Sequence, residues 1–141
     1  MTINQISIFL ENKYGKLNEI LTLLSQENIR IIAATVADTT EFGILRMIVS
    51  DPQKAHKLLK ENNVNANLTE VLAIITASTA KTFASTLNLF TKAGLSIEYM
   101  YCFSVKEKIF LILRVNNREA ALEIIKHNNI EYITEDKLIN I

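Results

Sequence analysis

Residues 60–64 read Lys60-Glu61-Asn62-Asn63-Val64, and residues 126–130 read Lys126-His127-Asn128-Asn129-Ile130. The two stretches lie 66 residues apart, and a shift of 66 pairs the two halves of the chain without a gap. Ile8 then meets Ile74, Leu21 meets Leu87, Leu23 meets Leu89 and Ile31 meets Ile97. Further along, Leu45 meets Leu111, Val49 meets Val115 and Ala55 meets Ala121. Eleven identities over residues 3–70 are weak alone, because chains of one fold class often share apolar types. The missing gap and the coincident helix ends make an internal repeat the better reading.

Each half carries the same order of elements. Ile6, Ile8 and Leu10 alternate with Gln5, Ser7 and Phe9, as in a strand with one face in a core. Leu17, Ile20, Leu21 and Leu24 follow at helical spacing, which predicts an amphipathic helix beginning near Gly15. Ile29 to Val36 and Ile44 to Val49 are β-branched runs joined by Thr39 to Gly43, a hairpin in which Gly43 takes a positive φ. Asp51-Pro52 starts a second helix, with Asp as cap and Pro at the first helical position. A strand around Ala66 to Val71 closes a β-α-β-β-α-β unit. The second unit has strands at Leu72 to Ile75, Leu95 to Phe103 and Ile109 to Val115, and a final strand at Glu131 to Thr134. Its helices carry Phe83, Leu87 and Phe90, then Ala121, Leu122, Ile124 and Ile125. The expected fold is therefore α+β: two ferredoxin-like βαββαβ units, at residues 1–70 and 71–141, with antiparallel sheets and helices on one face. No Gly-, Pro- or Ser-rich linker stands near Val71, and open sheet edges favour pairing of the units side by side.

Composition narrows the function. Hydrophobic residues make up 49% of 141 residues, which argues against long disordered stretches. Residues 1–70 carry 7 basic and 8 acidic groups and residues 71–141 carry 8 and 7, so neither half is a basic block suited to nucleic acid or an anionic membrane. No secretory signal follows Met1 and no apolar run reaches the roughly 20 residues of a spanning helix, so a cytoplasmic protein is expected. One cysteine, Cys102, excludes an internal disulfide, and its apolar strand predicts a buried, inert thiol. His56 and His127 lie on different helices without metal-ligand neighbours. The three glycines, at 15, 43 and 94, form no phosphate loop, and no acidic pair is placed for acid–base work. The expectation is no catalytic residue, no metal and no cofactor.

The loop Glu11-Asn12-Lys13-Tyr14-Gly15-Lys16 precedes the first helix. Unpaired N–H groups at a helix start favour a carboxylate or phosphate, and Gly15 permits close approach to the backbone. The plainer alternative is a glycine that merely starts a helix and an Asn12 that merely caps a turn. Arg46 and Arg114 stand in apolar strands, where each either holds a carboxylate or faces solvent. Tyr99-Met100-Tyr101-Cys102-Phe103 alternates, so about half of it serves packing.

Several stretches together resemble the ACT domain, in its tandem two-module form without a catalytic domain. They are Phe9 to Leu17, Ala37-Asp38-Thr39, Phe42-Gly43-Ile44-Leu45-Arg46, and Ala93 to Tyr101 in the second half. The resemblance covers essentially the whole chain, with module one at 1–70 and module two at 71–141. It implies a regulatory module that binds a free amino acid where the glycine loop of one module faces a strand of its partner. Carried over, it places Asn12, Lys13, Tyr14, Gly15 and Leu17 at the ligand, with Ile97, Glu98, Tyr99, Met100 and Tyr101 as the facing strand. Asp38 is the natural partner of the α-ammonium group, while loop N–H groups hold the α-carboxylate. The implied partners are the amino acid, a second copy in a homodimer, and a regulated enzyme, transporter or transcription factor.

Two departures from the family pattern matter. Tyr14 stands where proline is usual before the loop glycine, and Lys81 stands in the place of Gly15 in module two, within Ser78-Thr79-Ala80-Lys81-Thr82. One ligand site per chain is the expectation. The competing readings are a purely structural oligomerisation module and a single-stranded RNA binder using Tyr99, Tyr101 and Phe103. An acylphosphatase-type enzyme would need an arginine in the first loop, which offers only Lys13 and Lys16.

Overall fold

The computed structural model describes residues 2–11, 15–38 and 41–141. The elements are β1 (Ile3–Glu11), α1 (Lys16–Gln26), β2 (Ile31–Asp38), β3 (Phe42–Val49), α2 (Pro52–Glu61), β4 (Ala66–Thr76), α3 (Ala80–Lys92), β5 (Ile97–Val105), β6 (Lys108–Val115), α4 (Arg118–His127) and α5 (Glu135–Ile139). Contacts divide the chain into two compact units, one of Asn4–Thr69 with Ile139–Ile141, the other of Met1–Ile3 with Glu70–Leu138.

In the first unit the strand order is β2-β3-β1, with the start of β4 beside β1. Strand β3 pairs antiparallel with β1, Ile8 opposite Leu45, and with β2, Val36 opposite Leu45. Ile6, Ile8 and Leu10 of β1 and Leu45, Met47 and Val49 of β3 pack on Ile20 and Leu24 of α1 and Ala55 and Leu59 of α2. Period-2 strands and a 3.6-period helix stripe thus meet on one sheet face. In the second unit β6 pairs antiparallel with β4 and β5, and Leu72, Ile74, Leu111 and Leu113 pack on Phe90, Ala121 and Ile125.

The 66-residue repeat extends to single hydrogen bonds. Asp51 caps α2 by accepting from Lys54 N at 3.1 Å, and Asn117 caps α4 by accepting from Ala120 N at 3.1 Å. Arg30 N donates to Ser50 Oγ at 2.9 Å, and Ser96 N donates to Asn116 Oδ1 at 2.9 Å. Asn62 and Asn128 each donate from Nδ2 to the carbonyl four residues back, Leu58 and Ile124. Left-handed residues recur in register, Asn28 with Gly94 and Asn63 with Asn129. Both edge strands carry an irregularity at the same place, between Ile31 and Ala33 and between Ile97 and Tyr99.

Four sequence expectations change. The strands expected at Ala66 to Val71 and at Leu72 to Ile75 are one continuous strand, β4, because nothing between them breaks the extended backbone. The strand expected at Glu131 to Thr134 is reduced to a bridge of Tyr132 with Ile74, and the chain then turns into α5, which buries Leu138. Gly43 does not take a positive φ; only Gly15 and Gly94 do among the described glycines. It lies inside β3, paired with Leu10 and Asp38, so the strands extend further toward the hairpin than expected. Cys102 is exposed, not buried, because β5 pairs only with β6 and leaves alternate residues uncovered.

The β5–β6 hairpin stores backbone strain. Val105 pairs with Lys108, so Lys106 and Glu107 form a two-residue loop, with φ of 49° and 68°. Such a turn suits Asn-Gly, and a left-handed residue with a long side chain costs about 1–2 kcal/mol. The double replacement Lys106→Asn, Glu107→Gly is expected to stabilise the protein by about 1 kcal/mol, read as a higher denaturation midpoint at unchanged slope. An unchanged or lowered midpoint would show that the turn carries no strain.

Candidate functional site

Strand β1 ends at Glu11 and helix α1 begins at Lys16, so the predicted loop stands at a strand-to-helix corner. Asn12, Lys13 and Tyr14 lie outside the described residues. Gly15 occupies the N-cap with φ 80° and ψ −1°, and among the described residues no side chain caps the helix there. Its carbonyl accepts from Glu19 N at 3.0 Å, which closes the first turn. The N–H groups of a first helical turn have no partner within the helix and point outward with the positive end of the dipole.

Beside this corner lies a cleft of about 270 Å³, lined by Leu10, Glu11, Lys16, Leu17, Val36, Asp38 and Gly43. Register explains the set. Asp38 and Leu10 flank Gly43 on either side, and Val36 flanks Leu45, so all point toward the helix layer. Helix α1 begins above them and contributes Lys16 and Leu17. The structure therefore brings Leu17 and Asp38 together next to Gly15. Sequence reasoning missed Leu10, Glu11, Lys16, Val36 and Gly43 as lining residues; strand pairing across β1, β3 and β2 is what gathers them, and no local spacing announces it.

The cleft carries both charges. Asp38 supplies a carboxylate from β2, and Lys16 an ammonium from α1. Lys16 Nζ lies 3.7 Å from Glu19 Oε2, with the two side chains 38% and 64% exposed, a pair of little strength in water. Leu17 and Val36 add apolar surface, 37% and 48% exposed. Two other hollows, at Asn117, Glu123 and Lys126 around α4 and at Glu27, Lys54 and Glu61 beside α2, also carry both charges but include no glycine.

The expected facing strand belongs to β5. Its residues alternate: Tyr99 and Tyr101 pair with Arg114 and Ile112, while Met100 pairs with Leu113 and is exposed. Ile97 packs against the second core. The five side chains Ile97 to Tyr101 thus divide between two faces and do not form one wall. Glu98 sits at the irregularity, where Arg114 Nε donates to its Oε2 at 3.3 Å. Arg114 also donates from Nη1 to the Glu70 carbonyl at 2.8 Å, and Arg118 pairs with the Glu70 carboxylate. Arg114 therefore holds a carboxylate of its own chain. Phe103 stacks on Phe110 at 5.3 Å, and among the described residues no cluster of three His, Cys, Asp or Glu side chains is placed to hold a metal.

The loop is not repeated. Helix α3 begins at Ala80, two residues earlier than the repeat of α1, and Thr79 caps it by accepting from Thr82 N at 3.2 Å. Lys81, in the place of Gly15, is inside that helix.

The family model for the ACT domain pair matches residues 1–141. The chain belongs to the ACT domain pair family. Protein BT0572 from Bacteroides thetaiotaomicron has a similar structure, with a TM-score of 0.93 and 37% identity over 100% of this chain and 98% of that one. The regulatory subunit of aspartate kinase from Thermus thermophilus matches in fold, with a TM-score of 0.63 and 18% identity over 89% and 93% of the two chains. That from Thermus flavus gives 0.59 and 19% over 88% and 90%. No curated protein matches significantly in sequence. ACT domains are regulatory modules, and the cleft beside the Gly15 corner lies in the first of the two units. No helix of the described residues is long and apolar enough to cross a membrane.

Proposed function

We propose that this ACT pair is a non-catalytic sensor that binds one free amino acid per chain and regulates a partner in amino-acid metabolism. The observation that carries the reading is that Lys16 and Asp38 both line one cleft beside the Gly15 corner. A free amino acid is a zwitterion, so an ammonium and a carboxylate on the walls of one cleft match its two ends. In this reading Asp38 accepts from the α-ammonium group. Lys16 and the N–H groups at the start of α1 take the α-carboxylate. Asn12, Lys13, Tyr14, Gly15 and Leu17 belong to the same loop site.

The repeat supports one site per chain. At the shift of 66 residues Glu11, Lys16 and Asp38 correspond to Ala77, Thr82 and Ser104, so every charge of the cleft is gone from the second unit. An amino acid has nothing there to hold either end. A purely structural module would have no use for this asymmetry.

A thermal-shift screen of the full chain against the standard amino acids tests the function. A ligand that binds only the folded state raises the melting temperature by mass action, and a selective rise with one chemical group of amino acids is expected. No rise with any amino acid at millimolar concentration would favour the structural reading.

A further inference from the structure

Gly43 has no turn to make. Its φ lies outside the left-handed region, it pairs with Leu10 on one side and Asp38 on the other, and it is buried. Glycine inside a strand has a large entropic cost and packs no side chain, and it often marks a place where another group approaches the backbone. A Cβ added at Gly43 would meet the Ala37 carbonyl and Leu10 Cβ at 3.6 Å and Leu10 Cδ1 at 3.8 Å, all ordinary contacts. The protein itself therefore has room for a methyl group at this position, and it is the cleft that Gly43 lines.

The repeat again provides the comparison. Position 109 corresponds to position 43, and it holds Ile109, half-buried in β6. The repeat position carries no side chain in the first unit, where it lines the charged cleft, and a bulky one in the second. Strand geometry does not require the difference, because Ile109 and Gly43 both lie in regular antiparallel strands.

We propose that Gly43 is the size-determining residue of the cleft, and that the ligand is an amino acid with an aliphatic side chain lying over Gly43 between Leu17 and Val36. This rests on the reading of the cleft as an amino-acid site. Leu17 and Val36 leave apolar surface uncovered, which an aliphatic side chain removes from water. Lys16 and Asp38 are used by the two charged ends common to all amino acids.

Calorimetric titration of the full chain with glycine, alanine, leucine, lysine and aspartate tests the proposal, using wild type, Gly43→Ala and Gly43→Ile. Leucine is expected to bind wild type at least about tenfold more tightly than glycine, the range that apolar methylenes supply. In Gly43→Ala, leucine loses about tenfold and glycine less than about twofold; in Gly43→Ile, leucine binding is lost. Gly43→Ala is expected to melt no lower than wild type, because its backbone conformation suits alanine. Equal losses for all ligands in Gly43→Ala, or tighter binding of lysine or aspartate than of leucine by wild type, would overturn the proposal while the cleft remained an amino-acid site. No heat with any of the five would remove the site reading and this proposal together.

Discussion

Gly15→Val is expected to lower amino-acid affinity by more than about a hundredfold while leaving the protein folded. The position has φ 80°, where a β-branched residue is strained, at a cost of about 1–2 kcal/mol. Among the described residues other than its chain neighbours, no atom lies within 4 Å of an added Cβ, so the side chain projects away from them at the start of α1. In the proposed site that is the space through which the ligand carboxylate would reach the helix N–H groups. Gly94→Val separates the two effects, since Gly94 has φ 78° and equally open surroundings in the second unit. Both variants should lose similar stability in a denaturant titration, and only Gly15→Val should lose binding by calorimetry. Equal binding in the two would place the site elsewhere.

Asp38→Asn should weaken binding by about 1.5–3 kcal/mol, roughly 10- to 100-fold, as the charged acceptor of an ammonium group is lost. The amide keeps the shape of the side chain, so β2 and its register with Gly43 should persist. Ser104→Ala, at the corresponding position of β5, and Lys81→Ala, in the place of Gly15, should leave affinity unchanged. Lost binding in Ser104→Ala or Lys81→Ala, with full binding in Asp38→Asn, would move the site to the second unit.

The repeat was legible because helix ends are written locally. Asp51 and Asn117 each open a helix with a side-chain acceptor, and Asn62-Asn63 and Asn128-Asn129 each end one, so the same signals recur at the same spacing. Gly43 was misread for the same local reason. Next to Thr39, Thr40 and Glu41 it resembles a turn glycine, and only its pairing with Leu10, more than thirty residues away, shows a strand position. The end of the chain misled differently. Glu131 to Thr134 has strand character, yet after the bridge of Tyr132 to Ile74 the helix α5 takes over and buries Leu138.

The candidate site was legible in part. A loop glycine and an acid at a strand end carry a resemblance that sequence can show, and Leu17 and Asp38, named from it, line one cleft. Lys16 was read only as part of the loop, although α1 turns it into the cleft with Leu17. Leu10 and Val36 look like ordinary strand residues, and their role in the cleft depends on which strands lie side by side. The exposure of Cys102 depends likewise on β5 being an edge, which is a property of strand order.

The central claim is one amino-acid site per chain, in the first unit. Its most direct measurement is the calorimetric stoichiometry of the full chain with whichever amino acid gives the largest thermal shift. The account predicts one equivalent bound per chain, abolished by Gly15→Val and retained in Gly94→Val. Two equivalents per chain, or one that survives Gly15→Val, would contradict it.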